Sequence, residues 1–220
     1  MRLSIVIPVR NEARHLPALL DALHRAGAQI IVVDGGSTDG SADVARQCGV
    51  TVLETTPGRA RQMNTGAAAA QGEMLLFLHA DTQLPLQAEQ LIRDALAGSR
   101  VWGRFDVVID GRPGMLRVVA AMMNLRSRLT GIATGDQAIF VTRKAFDAAS
   151  GFPDQPLMED IELSRRLLRQ SRPACLRARV RTSGRRWEQR GVWRTIVLMW
   201  RLRWDYWRGV QVTEIAERYR

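Results

Sequence analysis

Short apolar runs alternating with amphipathic helical patterns constrain this chain more than any other feature. Leu3–Val9, Ile30–Val33, Val50–Glu54 and Glu73–Leu78 read as strands. Most of them are apolar nearly throughout, as strands covered on both faces are. Between them lie helical patterns over Glu12–Ala26, Ser41–Cys48 and Ala60–Ala70, and Pro85–Ala97 follows the fourth strand. In the first helix Leu16, Leu19, Leu20 and Leu23 share one stripe, and Gly27 is its stop signal. Short connections in β-α-β-α order imply an α/β protein: a mostly parallel central sheet with helices on both faces. Further on, Trp102–Ile109 and Gln137–Thr142 read as strands, and Met115–Leu129, Ile161–Arg169 and Val192–Val212 as helices. A length of 220 residues suits one domain.

Charge is unevenly placed. Residues 1–160 hold 16 basic and 17 acidic side chains, whereas 161–220 hold 16 basic and 5 acidic, so the net +10 comes entirely from the tail. Such asymmetry speaks to partners rather than fold. Cys48 and Cys175 show no CxxC spacing, which disfavours a zinc ribbon or a disulfide framework and fits a reducing cytoplasm. Met1 runs into the first strand without a signal-peptide pattern, and no apolar run reaches the roughly 18 residues a bilayer span needs.

Chemistry gathers where strands end. Asp34 follows a buried strand, and Gly35-Gly36 let a flat ligand approach the backbone closely. Asp39, just before the Ser41 helix, reads as a cap. Arg59 and Arg61 flank a helix start, where amides and guanidinium groups favour a diphosphate. His79-Ala80-Asp81 closes the fourth strand with a carboxylate suited to a hard cation, and Glu159-Asp160 opens a helix with two more acids.

Six motifs in order carry a resemblance. They are Val6-Ile7-Pro8-Val9-Arg10-Asn11-Glu12, the stretch from Val32 to Ser41, Gly58-Arg59-Ala60-Arg61-Gln62-Met63-Asn64-Thr65-Gly66, His79-Ala80-Asp81, Gly135-Asp136-Gln137, and Glu159-Asp160. Over roughly residues 4–165 the chain resembles glycosyltransferase family 2, in a small stand-alone form similar to a bacterial subgroup linked to arsenosugar biosynthesis. The resemblance implies the nucleotide-diphospho-sugar transferase (GT-A type) fold. It divides the chain into a nucleotide-sugar-binding half (1–100), an acceptor and catalytic half (101–180) and a basic C-terminal segment (181–220).

By the same resemblance Asp81 holds Mn²⁺ or Mg²⁺. Asp160 is the general base of an inverting transfer to an acceptor hydroxyl, with Glu159 beside it. Pro8, Glu12, Asp34, Gly35, Arg59, Arg61, Asn64, His79 and Arg186 contact the donor, a nucleotide-diphosphate sugar. Two departures from the family pattern stand out. His79 replaces the first Asp of an Asp-x-Asp motif, and Gly35 replaces a second Asp after Asp34. Arg185 or Arg186 belongs to a partial version of a basic-aromatic motif. Two other readings stay open: a sugar-phosphate nucleotidyltransferase, and a non-catalytic, membrane-docked nucleotide-sugar-binding protein. Nucleic acid is not an expected partner.

The tail carries one more pattern. Trp193, Ile196, Val197, Trp200, Trp204 and Trp207 fall on one helical stripe, with Arg194, Arg201 and Arg208 on another. The apolar stripe is expected either to pack on the transferase domain or a second subunit in a homodimer, or to dock residues 192–212 on the inner face of the cytoplasmic membrane.

Overall fold

A run as apolar as Leu3–Val9 has to be covered on both faces, and as strand β1 it sits near the middle of one sheet. The computed structural model describes residues 1–24 and 27–219. The end of the first predicted helix, at Ala26, lies outside the described residues. After β1 come α1 (Leu16–His24), β2 (Gln29–Asp34), α2 (Ser41–Gln47), β3 (Thr51–Glu54), α3 (Arg59–Ala69) and β4 (Met74–Phe77). The chain continues through β5 (Thr82–Gln83), α4 (Ala88–Leu96), β6 (Trp102–Asp110), α5 (Met115–Thr130), a 3₁₀ turn at Gly135–Gln137, β7 (Phe140–Thr142) and α6 (Arg143–Ala148). It closes with α7 (Glu159–Leu168), β8 (Ala174–Ser183), α8 (Arg185–Arg190), α9 (Val192–Trp207) and α10 (Val212–Tyr219).

The eight strands form a single sheet in the order β3-β2-β1-β4-β7-β6-β8-β5. β3, β2, β1 and β4 pair in parallel, β7 inserts antiparallel between β4 and β6, and β8 returns parallel to β6. Alternation along β1 serves two layers. Leu3, Ile5, Ile7 and Val9 pack with Leu16, Leu20 and Ile92 of α1 and α4, whereas Val6 packs with Met63, Phe146 and Leu163 of α3, α6 and α7. Each such buried aliphatic side chain stabilises the fold by about 1.5–3 kcal/mol. Helix α3 sits so close to β1 that a Cβ on Gly66 would lie 2.3 Å from Val6, so only glycine fits there.

Two expectations need correction. Strand β8 adds to the strands expected from the sequence: half-buried Leu176 and Ala178 and buried Val180 alternate with exposed Arg177, Arg179 and Arg181. The long C-terminal helix is interrupted: α9 ends at Trp207, and Gly209 takes a left-handed φ of 81° before α10 begins. Helix α9 does not turn its tryptophans onto the transferase domain. It buries Leu202, with Leu198, Met199 and Tyr206, against Met158, Ile161 and Ile215. Its tryptophan stripe faces outward, with Trp193, Trp200, Trp204 and Trp207 67%, 71%, 57% and 68% exposed.

Candidate active site

The parallel strands β1 and β2 end together, and the loops beyond them lock into one cradle. Gly35 N–H donates to Val9 O at 3.0 Å. The buried Gln62 amide on α3 donates to Val9 O and Val33 O, both at 2.8 Å, and so ties the two strand ends. A Cβ on Gly35 would lie 2.8 Å from that amide, which explains the glycine where the family pattern has a second Asp. Asp34 Oδ1 accepts from Gly36 N and Ser37 N at 2.7 Å each. Its Oδ2 is buried and has no hydrogen-bond partner among the described residues. Asp39 takes its expected local role by accepting from Ser41 N at 3.0 Å, and it also receives Ala13 N.

At the end of β4, His79 turns toward the 3₁₀ segment. Its Nδ1 lies 3.3 Å from Asp136 Oδ1. The other ring nitrogen of His79 is Nε2. That Nε2 is buried and unpartnered, and a Cβ on Gly135 would fall 2.4 Å from it. Burial would raise the Asp136 pKa, but the His79 contact and the charges of His79, Arg59 and Arg186 hold it below the usual carboxylate value. Asp81 lies in the turn closed by Thr82 N to His79 O, and its carboxylate receives one long bond, from Thr82 Oγ1 at 3.4 Å.

Helix α7 brings in the remaining acids. Asp160 Oδ2 accepts from Gly135 N at 2.9 Å and Oδ1 from Ile161 N at 2.7 Å, so each oxygen keeps a lone pair free. Glu159 is buried, with Arg59 Nη1 3.7 Å from its Oε1. Burial first, and the Asp160 charge second, push the Glu159 pKa up against the pull of Arg59. Arg59, His79, Gly135, Glu159 and Asp160 line one cleft.

Other predicted contacts are engaged elsewhere. Asn64 pairs with the Phe152 backbone, donating to its O at 2.8 Å and accepting from its N at 2.9 Å. Arg61 is held by Thr56 and by Asp154 at 3.0 Å. Both side chains fasten the 151–154 loop to α3. The Glu12 carboxylate lies between His15 and Arg185, the latter at 3.3 Å. Pro8 sits within β1, in register with Val33. Arg186 feels the charges of Arg59, Asp136 and Asp81, and its guanidinium lies 5.0 Å over the Tyr219 ring.

Among the described residues no group of three or more His, Cys, Asp or Glu gathers as a metal cage. The donor set still fits a hard cation, which characteristically takes one or two carboxylates and completes its shell with phosphate and water oxygens. Asp81 offers a carboxylate with little else to do, and His79 Nε2 is the free nitrogen on the same strand end.

This architecture is shared with solved sugar-nucleotide transferases of the GT-A type. A mannosyltransferase from Pyrobaculum calidifontis, solved with GDP-Man and Mn²⁺, superposes with a TM-score of 0.62 at 22% identity over 82% of this chain and 56% of that one. Glucosyl-3-phosphoglycerate synthase from Mycobacterium tuberculosis, solved with Mn²⁺ and UDP-glucose, gives 0.59 at 19% identity over 82% and 70%. The chain belongs to glycosyl transferase family 2, whose model matches residues 4–147. A curated relative, the PGL/p-HBAD biosynthesis glycosyltransferase of Mycobacterium bovis, is 39% identical over 102 residues. That match spans 42% of this chain and 40% of the relative.

Proposed function

We propose that the chain is a metal-dependent, inverting glycosyltransferase that moves a sugar from a nucleotide-diphosphate donor to an acceptor hydroxyl. The observation that carries this reading is the pair of buried, unpartnered atoms Asp34 Oδ2 and His79 Nε2, at the ends of β2 and β4 on either side of β1 in a family 2 fold. Buried polar atoms are nearly always satisfied, so these two are places for ligand groups. Asp34 receives a nucleoside N–H or ribose hydroxyl over the glycine cradle. Arg59 and Arg186 meet the diphosphate through their forked guanidinium N–H donors. A Mn²⁺ or Mg²⁺ held by Asp81 would supply Lewis-acid stabilisation of the departing diphosphate.

Asp160, anchored by Gly135 and Ile161, takes the proton of the attacking hydroxyl. The bond from the acceptor oxygen to the anomeric carbon forms as the bond from that carbon to the diphosphate oxygen breaks. Attack from the opposite side inverts the anomeric centre. Slow transfer to water tests this: proton NMR of the first sugar released should show the opposite anomer to that of the donor. Release with the donor's own configuration would rule out direct inversion.

The Mn²⁺-bound nucleotide sugars of the two solved relatives support this donor class, and the particular sugar and base follow from neither. A nucleotidyltransferase is disfavoured because β1 ends in Pro8-Val9 and runs into Arg10-Asn11-Glu12 rather than into a glycine-rich loop with a basic residue.

The outward face of α9 extends the reading to a site of action. Among the described residues no helix is long and apolar enough to cross a membrane. Trp193, Val197 and Trp200 are exposed beside exposed Arg194 and Arg201, and α5 exposes Val118, Met122, Leu125 and Leu129 at helical spacing. Indoles at headgroup depth and arginines facing anionic lipid suit peripheral docking on the cytoplasmic face. The protein should co-sediment with anionic liposomes at low salt and be released at high salt. Binding indifferent to lipid charge, or a stable dimer with no vesicle binding, would overturn the docking.

A further inference from the structure

A groove open to solvent follows α9 from Trp193 to Asp205, about 18 Å of helix at 1.5 Å per residue. It holds about 670 Å³, the size of a small-ligand site rather than of a packing defect. Leu198 and Leu202 line it and also belong to the cluster of Met158, Ile161 and Ile215, so its base is fixed on the fold. Val197 and Trp193 add apolar surface that is 53% and 67% exposed. That surface has no cover among the described residues.

The charges along the groove are of two kinds. Arg218 of α10 reaches across to Asp205 at 2.7 Å and also pairs with Glu214, so its charge is already met. Arg194 and Arg201, two helical turns apart on the same lining, are exposed. Neither guanidinium has a hydrogen bond or ion pair among the described residues. The groove therefore joins an apolar trough to two unengaged cations. A ligand that suits both is an amphiphile with an apolar chain and an anionic head.

We propose that this groove binds the acyl chain of one anionic phospholipid, with the lipid phosphate taken by Arg194 and Arg201. The proposal rests on the docking of α9 at a membrane surface and adds a defined lipid site to it. Three observations favour this occupant. Trp200, Trp204 and Trp207 stand exposed on the same helix, where indoles can enter the headgroup layer. The trough is about as long as the roughly 15 Å of hydrocarbon in one leaflet. A second copy of the chain would bring its own Arg194 and Arg201 against these, and like charges facing each other disfavour that pairing.

The test uses the full chain and a short-chain phosphatidylglycerol kept below its micelle concentration, so that lipid is offered without a bilayer. Calorimetric titration should show saturable binding to wild type, and the matching phosphatidylcholine should bind about tenfold or more weakly. Val197→Glu and Arg201→Glu change exposed side chains and should keep the wild-type melting temperature. Each should weaken phosphatidylglycerol binding by about tenfold or more, the first by placing a charge in the trough and the second by reversing one at its edge. Trp207→Ala, outside the groove, should keep the affinity for monomeric lipid while losing affinity for anionic vesicles. No binding by wild type, equal affinity in the two groove variants, or equal affinity for phosphatidylcholine would overturn the site. A stable wild-type dimer split by Val197→Glu would overturn it too, by giving the groove to a second copy. Vesicle binding without uptake of monomeric lipid would reject the groove and leave the docking of α9 standing. Uptake of monomeric lipid without vesicle binding would keep the groove and reject the docking.

Discussion

Asp160→Asn is expected to keep donor affinity and to lower sugar transfer by about 10²-fold or more, the loss that follows removal of a general base. The amide preserves the shape of the carboxylate and abolishes its basicity. It also carries a structural cost that can be stated in advance. Both carboxylate oxygens accept a backbone N–H, from Gly135 and from Ile161. Asparagine keeps one oxygen, so one of those donors must face an NH₂ group, at about 1–3 kcal/mol. The melting temperature should therefore fall modestly while nucleotide binding persists. Transfer at the wild-type rate would mean that Asp160 serves only to anchor Gly135 and the α7 N-terminus.

The strands and the acidic positions were legible because they depend on local pattern. An apolar run ending in Asp34 or in His79-Ala80-Asp81 must place those groups on the sheet rim, whatever packs behind it. What was not legible depends on distant partners. Asn64 and Arg61 read as donor contacts in the chain, and the partners they have within the protein, Phe152 and Asp154, lie 88 and 93 residues away. Gln62 did leave a signal: a long polar side chain on a helix face otherwise made of Ala60, Met63, Gly66 and Ala67. Helix α9 carries two apolar stripes, and the sequence reading saw only the larger one. The smaller stripe, centred on Leu202, is the one that packs. In β8 the arginines masked a period-two pattern that was there to be read.

The metal and the donor bring the account to its most direct test. Asp81 lies in a rim turn and makes one weak hydrogen bond, so Asp81→Ala should leave the fold and its melting temperature essentially unchanged. A cation held by this carboxylate would lose that anchor, and donor binding should lose its metal dependence with it. Isothermal calorimetric titration of wild type and Asp81→Ala with a panel of nucleotide sugars, with and without Mn²⁺, measures this. The account predicts that wild type binds at least one nucleotide sugar, more tightly by tenfold or more when Mn²⁺ is present, and that the variant shows no Mn²⁺ effect. No binding by wild type to any member of the panel, or an undiminished Mn²⁺ effect in the variant, would contradict it.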